Sequence, residues 1–389
     1  MKRMNLVILL VAILFYCEEV PVDNSDPLIQ SWMAKSTVFP DIGTTKSIFQ
    51  PSILAVFGAD TAQLGEDYLV RCDYNGDGVA DTDWLDSIPA TQTFTETGKH
   101  ILNFEFKDTS GVTFTAICSV YVQTLIQITP TNTSGYGQNN IDWSRDGSNR
   151  IAFDMYGADS GGNQNLFYIE YPNGVPVKVS SNPTPGFYFF DQFPEWSPDG
   201  ETIACYSSNG LDIIDIENGQ RTTLDAAGYY IMLAWSPDGH WLAYWDGQKT
   251  LLYDLEMGTS SELFADPHYV AWSPDGSKIA VSSGVRSPTT LNILDFESQS
   301  ILEAHTVTAF GSKLEWSPDG RWISLGFQND TGYLFNAKTG QTHTFRPDGV
   351  IGAWFPSWSE DGTLLAFEGK KNTSGEWESI WAIEFPEDY

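Results

Sequence analysis

Five oxygen-bearing side chains crowd one short stretch: Asp73, Asn75, Asp77, Asp81 and Asp83, with Gly78 at the sixth place counted from Asp73. Oxygens at alternate positions around a glycine are how a loop wraps Ca2+. The twelfth place is Trp84, where an EF-hand puts a bidentate Glu, so the stretch is not a complete EF-hand loop. Asp, Asn and Gly favour an Asx-rich hairpin turn equally well, and both readings stand. A second set is aromatic: Phe187, Tyr188 and Phe190, then Tyr229, Tyr230, Tyr269, Phe310 and Trp354. Exposed rings of this kind stack on a sugar face or grip a peptide, whereas buried ones wedge between packed sheets.

Catalytic patterns are scarce. His100, His240, His268, His305 and His343 are dispersed, without metal-ligand spacing. No glycine-rich phosphate loop occurs. Asp159-Ser160-Gly161-Gly162 superficially resembles the nucleophile segment of trypsin-like proteases, but no other part of that framework accompanies it. With 51 acidic against 20 basic residues and a net charge of −31, the chain repels nucleic acid and anionic headgroups.

The elements that must position these residues are announced by a repeated turn. Trp-Ser-x-Asp-Gly begins at Trp143, Trp196, Trp235, Trp272, Trp316 and Trp358, in steps of 53, 39, 37, 44 and 42 residues. A period near forty residues marks repeated supersecondary units. Proline at the third place pre-sets φ, and glycine at the last accepts the positive φ needed to re-enter a strand. Each turn is followed by an apolar run such as Ile203-Ala204-Cys205-Tyr206 or Leu364-Leu365-Ala366-Phe367, so each copy predicts a hairpin whose first strand ends in Trp.

These repeats resemble the WD-like repeats of the TolB-type β-propeller family, over the stretch from Thr124 to the C-terminus. Four copies match fully; Arg145 and Glu360 replace the proline in the first and last. The resemblance implies six blades of four strands around a channel. The last blade has one strand too few, and the segment 124–129 is expected to complete it, removing an exposed edge. With the four strands of a blade lettered A to D in chain order, A being the one that ends in the motif Trp, the Ser-Pro-Asp-Gly (A–B) and C–D turns then share one face. The longer B–C and D–A loops, with the aromatic set, share the other, where function is expected.

Ahead of the repeats, residues 47–123 hold several short strand candidates, among them Ile53–Phe57, Tyr68–Cys72, His100–Phe106 and Ala116–Val122, which argue for a small β-sandwich. Arg71–Gly78 and Phe94–Phe104 resemble the PKD domain, an immunoglobulin-like module. Residues 18–46 read as a tether. Lys2 and Arg3 followed by apolar Leu6–Phe15 read as an export signal, and its end at Cys17 resembles a bacterial lipoprotein signal, although Tyr16 stands where a small residue is usual. In an oxidising compartment, Cys72 and Cys118 of one domain are expected to form a disulfide, leaving Cys205 a buried thiol.

The expectation is thus an all-β chain: a six-bladed β-propeller preceded by a small immunoglobulin-like β-sandwich. It would be an exported monomer, periplasmic or at the cell surface, touching a membrane only through a lipid anchor. Its role would be to bind an envelope or surface protein, or a glycan. The alternative is a carbohydrate-active lyase or hydrolase, which needs acid and base side chains converging in the channel.

Overall fold

The turn chemistry is realised in the computed structural model. In the second to sixth copies the glycine N–H donates to the serine carbonyl at 2.9 Å. The serine hydroxyl donates to the turn aspartate at 2.5–2.7 Å and accepts the N–H that starts the next strand at 2.9–3.0 Å. Asp238, Asp275, Asp319 and Asp361 accordingly sit below the usual carboxylate pKa, held there by these donors against partial burial, and in the first copy Ser148 and Arg150 do the same for Asp146. The six glycines have φ between 69° and 79°, which a β-carbon would strain. A Cβ on Gly239, Gly276, Gly320 or Gly362 would lie 3.6–4.0 Å from Pro198, Pro237, Pro274 or Pro318, so each turn seats against the proline of the turn before.

The structure describes residues 15–16, 39–40, 47–49, 68–86, 92–94, 98–108, 111, 113–122, 125–129, 137–156, 163–180, 190–226, 231–265, 269–283, 289–307, 313–328, 331–340, 342–345, 350–371 and 378–385, with no helix among them. Two units divide the chain, essentially residues 1–124 and 125–388.

The larger unit is a six-bladed β-propeller of antiparallel sheets. Blade 1 comprises Gln138–Trp143, Arg150–Tyr156, Gln164–Glu170 and Val177–Lys178. Blade 2 comprises Asp191–Trp196, Thr202–Ser207, Gly210–Asp215 and Arg221–Asp225. Blades 3 and 4 begin with Ile231–Trp235 and Tyr269–Trp272, blade 5 with Glu315–Trp316, and blade 6 with Val350–Trp358. In each case the strand that ends in the motif Trp is at one edge of its sheet. Blade 6 takes its fourth strand from Leu125–Gln127, which pairs antiparallel with Ser379–Glu384. Apolar clusters bridge neighbouring blades; one joins Trp143, Ile151 and Phe153 of blade 1 to Leu364, Ala366 and Ile380 of blade 6. Four of the motif tryptophans make T-shaped contacts, Trp143 with Tyr171 at 5.4 Å, Trp196 with Tyr168 at 5.8 Å, Trp272 with Phe296 at 4.6 Å and Trp358 with Phe385 at 4.8 Å.

In the smaller unit Gly98–Asp108 lies between Tyr68–Asp73 and Thr113–Val122, with Phe15–Tyr16 beyond the latter; a second sheet joins Phe39–Pro40, Ser47–Phe49 and Gln92–Phe94. The candidate strand Ile53–Phe57 and Cys17 lie outside the described residues. The expected Cys72–Cys118 disulfide is not formed: Cys72 is a buried free thiol opposite Phe104, while Cys118 is opposite Leu102 on the other side of the same central strand. Two strand spacings separate their backbones by about 10 Å, beyond the Cα separation a disulfide spans. Cys205 is a buried free thiol.

Candidate functional site

The acidic loop of the smaller unit resolves into a turn. Asp73 accepts the N–H groups of Asn75, Gly76 and Gly78 at 2.7–3.2 Å and the Asn103 amide at 2.8 Å. Those donors pull its pKa below the usual value in spite of its burial. Asp77 accepts from Val79 N and Asn75 Nδ2, Asp81 from Tyr74 N, and Asn75 Oδ1 from Asp77 N. The oxygens a Ca2+ ion would need are turned to the backbone, and among the described residues no three His, Cys, Asp or Glu side chains are arranged to hold a metal. The residues present do not fit the ion, and Asp83 makes no hydrogen bond within the loop among the described residues.

Of the aromatic set, Phe187, Tyr188, Tyr229, Tyr230 and Phe310 lie outside the described residues. Phe190 is half-buried and tilted against Tyr206 at 5.0 Å. Tyr269 packs against the apolar cluster between blades 4 and 5, whose burial raises its phenol pKa, so it is a wedge. Trp354 remains 40% exposed, and its neighbour Phe355 meets Phe193 across blades at 6.0 Å.

Two polar clusters went unnoticed in the sequence. In the channel, Lys313 Nζ lies 2.8 Å from Asp142 Oδ1, 3.0 Å from Glu195 Oε1 and 3.7 Å from Glu315 Oε2, and donates to the Ile141 carbonyl at 3.1 Å. These partners come from blades 1, 2 and 5. Blades 2 and 5 stand opposite in a ring of six, so the ammonium sits on the axis. Arg145, released from the proline role in its turn, crosses to ion-pair with Glu315. The residue before the motif Trp also ties blades together. Asp142 accepts Trp196 N at 2.8 Å, Ser357 accepts Trp143 N at 2.9 Å and Glu315 accepts Trp358 N at 3.2 Å. Burial, then Asp142, pushes Glu195 well up, and burial likewise raises Glu315 against the pull of Lys313 and Arg145. Burial would lower Lys313, but the three carboxylates overcome it and hold it above the ordinary lysine value.

The second cluster lies at the B–C and D–A end of blades 1 and 6. Fully buried Asp154 accepts Asn140 Nδ2 and Gln164 Nε2, both at 2.6 Å, and Phe193 N at 3.2 Å. Glu368, 3% exposed, accepts Asn140 N at 2.9 Å. Asn140, Phe193 and Phe355 have φ of 53°, 54° and 48°, all three residues before a motif Trp. These inner strands bulge there, turning polar backbone toward the cluster. Burial lifts Asp154 to about 7, opposed by its amide donors, and lifts Glu368 well above its usual value, with Asp154 and Glu378 adding to the rise.

A pH dependence follows. A carboxyl whose folded pKa exceeds its unfolded value contributes stability at low pH that is lost as pH rises through the folded value. Between pH 4 and 8 the Asp154→Asn variant should therefore gain on the parent by up to about 4 kcal/mol, read by urea unfolding across that range. Groups facing Asp154 are Asn140, Gln164, Asn139 and Glu368, with Glu378 paired to Lys370 at 3.8 Å nearby. A gap independent of pH would contradict this.

Fold and clusters together define a six-bladed propeller with a charged plug on its axis and buried carboxylates beside one mouth. No protein-family model matches the chain, and no curated protein is similar to it. Among solved structures it is similar to TolB from Acinetobacter baumannii, at 16% identity over 75% of this chain and 77% of that one, TM-score 0.46. It is also similar to a chain of a mitotic checkpoint complex, at 16% identity over 67% and 91%, TM-score 0.47. A third is Kuenenia stuttgartiensis hydrazine synthase, at 16% over 46% and 56%, TM-score 0.39.

Proposed function

We propose that this chain is a non-catalytic binding protein, exported to the bacterial envelope or cell surface, whose propeller recognises a protein or glycan through its B–C and D–A loop face. The carrying observation is the channel plug. The channel's convergent carboxylates and cations are bonded to one another, Lys313 to Asp142, Glu195 and Glu315, and Arg145 to Glu315. Among the described residues no acid–base pair is left free there to act on a substrate. On the loop face Trp354 remains exposed, as a binding ring should be.

The Trp354→Ala variant should keep its melting temperature within a few degrees while losing at least tenfold in affinity for a ligand found on a glycan or peptide array. Unchanged affinity would count against this face. The carbohydrate-active alternative would use Asp154 and Glu368, the buried pair beside that face. Turnover of a polysaccharide that survives Trp354→Ala but not Asp154→Asn would favour it. Export through residues 1–17, a lipid anchor on Cys17 and an immunoglobulin-like N-terminal module belong to the same reading. Mass analysis of Cys17 in membrane fractions tests the anchor.

A further inference from the structure

Buried carboxylates in the propeller fall into three groups. Asp142, Glu195 and Glu315 are paired with Lys313 and Arg145. Asp191 and Asp212 are paired with Arg221. Asp154 and Glu368 have amide and backbone donors but no cation paired with them among the described residues; Lys370, two residues along the strand from Glu368, is paired with Glu378 at 3.8 Å. The loops leaving their strands, residues 131–136, 157–162 and 372–377, contain no Lys, Arg or His. Among the described residues the Asn140 N–H donates to Glu368 Oε2, and Oε1 of this nearly buried side chain receives no donor. A buried carboxylate without a counter-charge is costly, and elsewhere in this propeller the chain supplies the counter-charge itself.

Two exposed rings flank the pair. Trp354 stands opposite Glu368 in the strand register, and Tyr156, 47% exposed, lies two residues along the strand from Asp154 on the same face. Carboxylates beside exposed aromatic faces recognise a cationic nitrogen. A net charge of −31 draws such a ligand in and repels an anionic one. A neutral sugar fits less well, because the Asn140 and Gln164 amides that would meet its hydroxyls already donate to Asp154.

We propose that this mouth binds a lysine or arginine side chain of a protein partner, its cationic nitrogen set against Glu368 and Asp154 beside Trp354 and Tyr156. The assignment rests on the binding role proposed above and names its ligand class.

The test is selection of a displayed random heptapeptide library on the full chain, followed by synthesis of the selected peptides. The expected result is a Lys or Arg shared at one position. Affinity for the Asp154→Asn/Glu368→Gln double variant should be at least tenfold weaker, and weaker than for the equally neutralised surface control Glu256→Gln/Glu297→Gln. Should the double variant not fold, acetylating the peptide lysine must produce the same loss on the parent protein. Peptides without a shared basic residue, equal binding to parent and double variant, equal losses in the surface control, or binding of neutral glycans alone would overturn the assignment. Binding that falls with Trp354→Ala but not with the double variant would overturn the cation and leave the binding face standing. Binding to neither peptides nor glycans would overturn both.

Discussion

Replacing Lys313 with methionine is expected to lower the unfolding free energy of the propeller by about 3–5 kcal/mol, the usual result of removing one partner from a buried ion pair. The stem of methionine fills much the same volume, so the loss is electrostatic rather than a cavity. What remains is Asp142, Glu195 and Glu315 in one buried site with only Arg145, whose side chain is 35% exposed, to balance them. Two of the carboxylates have a further task. Asp142 and Glu315 hold the Trp196 and Trp358 backbone N–H groups of the next blades, so repulsion between them strains the inner ring directly. Glu195 and Glu315 already have raised pKa values through burial, and loss of Lys313 raises them further. The folded variant therefore takes up protons more readily than the unfolded chain. Its deficit against the parent should shrink as pH falls from 8 towards 5. Urea unfolding of both proteins across that range checks it. A deficit below 1 kcal/mol, or one that widens on acidification, would show that the ammonium is not what holds the plug together.

Much of this fold was legible in the sequence because it is written six times. Turn chemistry, hairpins, the edge position of each motif Trp and the six blades all follow from a five-residue pattern whose copies reinforce one another. The channel plug was not legible for the opposite reason. Lys313 and Asp142 are 171 residues apart and meet only because the ring closes, and each plug residue occurs at its strand position in a minority of blades. One signal was available: the residue before the motif Trp is acidic in blades 1, 2 and 5, and Arg145 replaces proline in the first turn. Polar residues at a repeated inner-strand position point to the axis. The Cys72–Cys118 pairing failed because membership of one domain does not make two strands neighbours; Gly98–Asp108 runs between them. The acidic loop had the composition of a metal site, but its oxygens point at the backbone, which composition cannot show.

Arg221 is a second place where one cation carries a buried network, and its loss should cost a similar 3–5 kcal/mol. Its guanidinium grips Asp191 through two parallel bonds of 2.8 Å and reaches Asp212 at 2.6 Å, and neither aspartate is solvent-exposed. Asp212 also accepts the Ser207 hydroxyl at 2.5 Å, so three strands of blade 2 and the start of its inner strand converge on this fork. Arg221→Lys keeps the charge but not the planar fork, and should fall between the parent and Arg221→Met. Adding Asp191→Asn to Arg221→Met removes one stranded charge and should recover part of the loss, which a merely steric role for the arginine would not allow. Cys205 reports on the same region. Burial, followed by the charge of Asp191, holds its thiol well above the ordinary cysteine value, so in the parent it should resist labelling by a thiol reagent at pH 8. In Arg221→Met the labelling rate should rise as blade 2 opens locally, and rise less once Asp191 is neutralised. Labelling of Cys205 that is equally slow in all three proteins would mean that the blade is held by its apolar contacts alone.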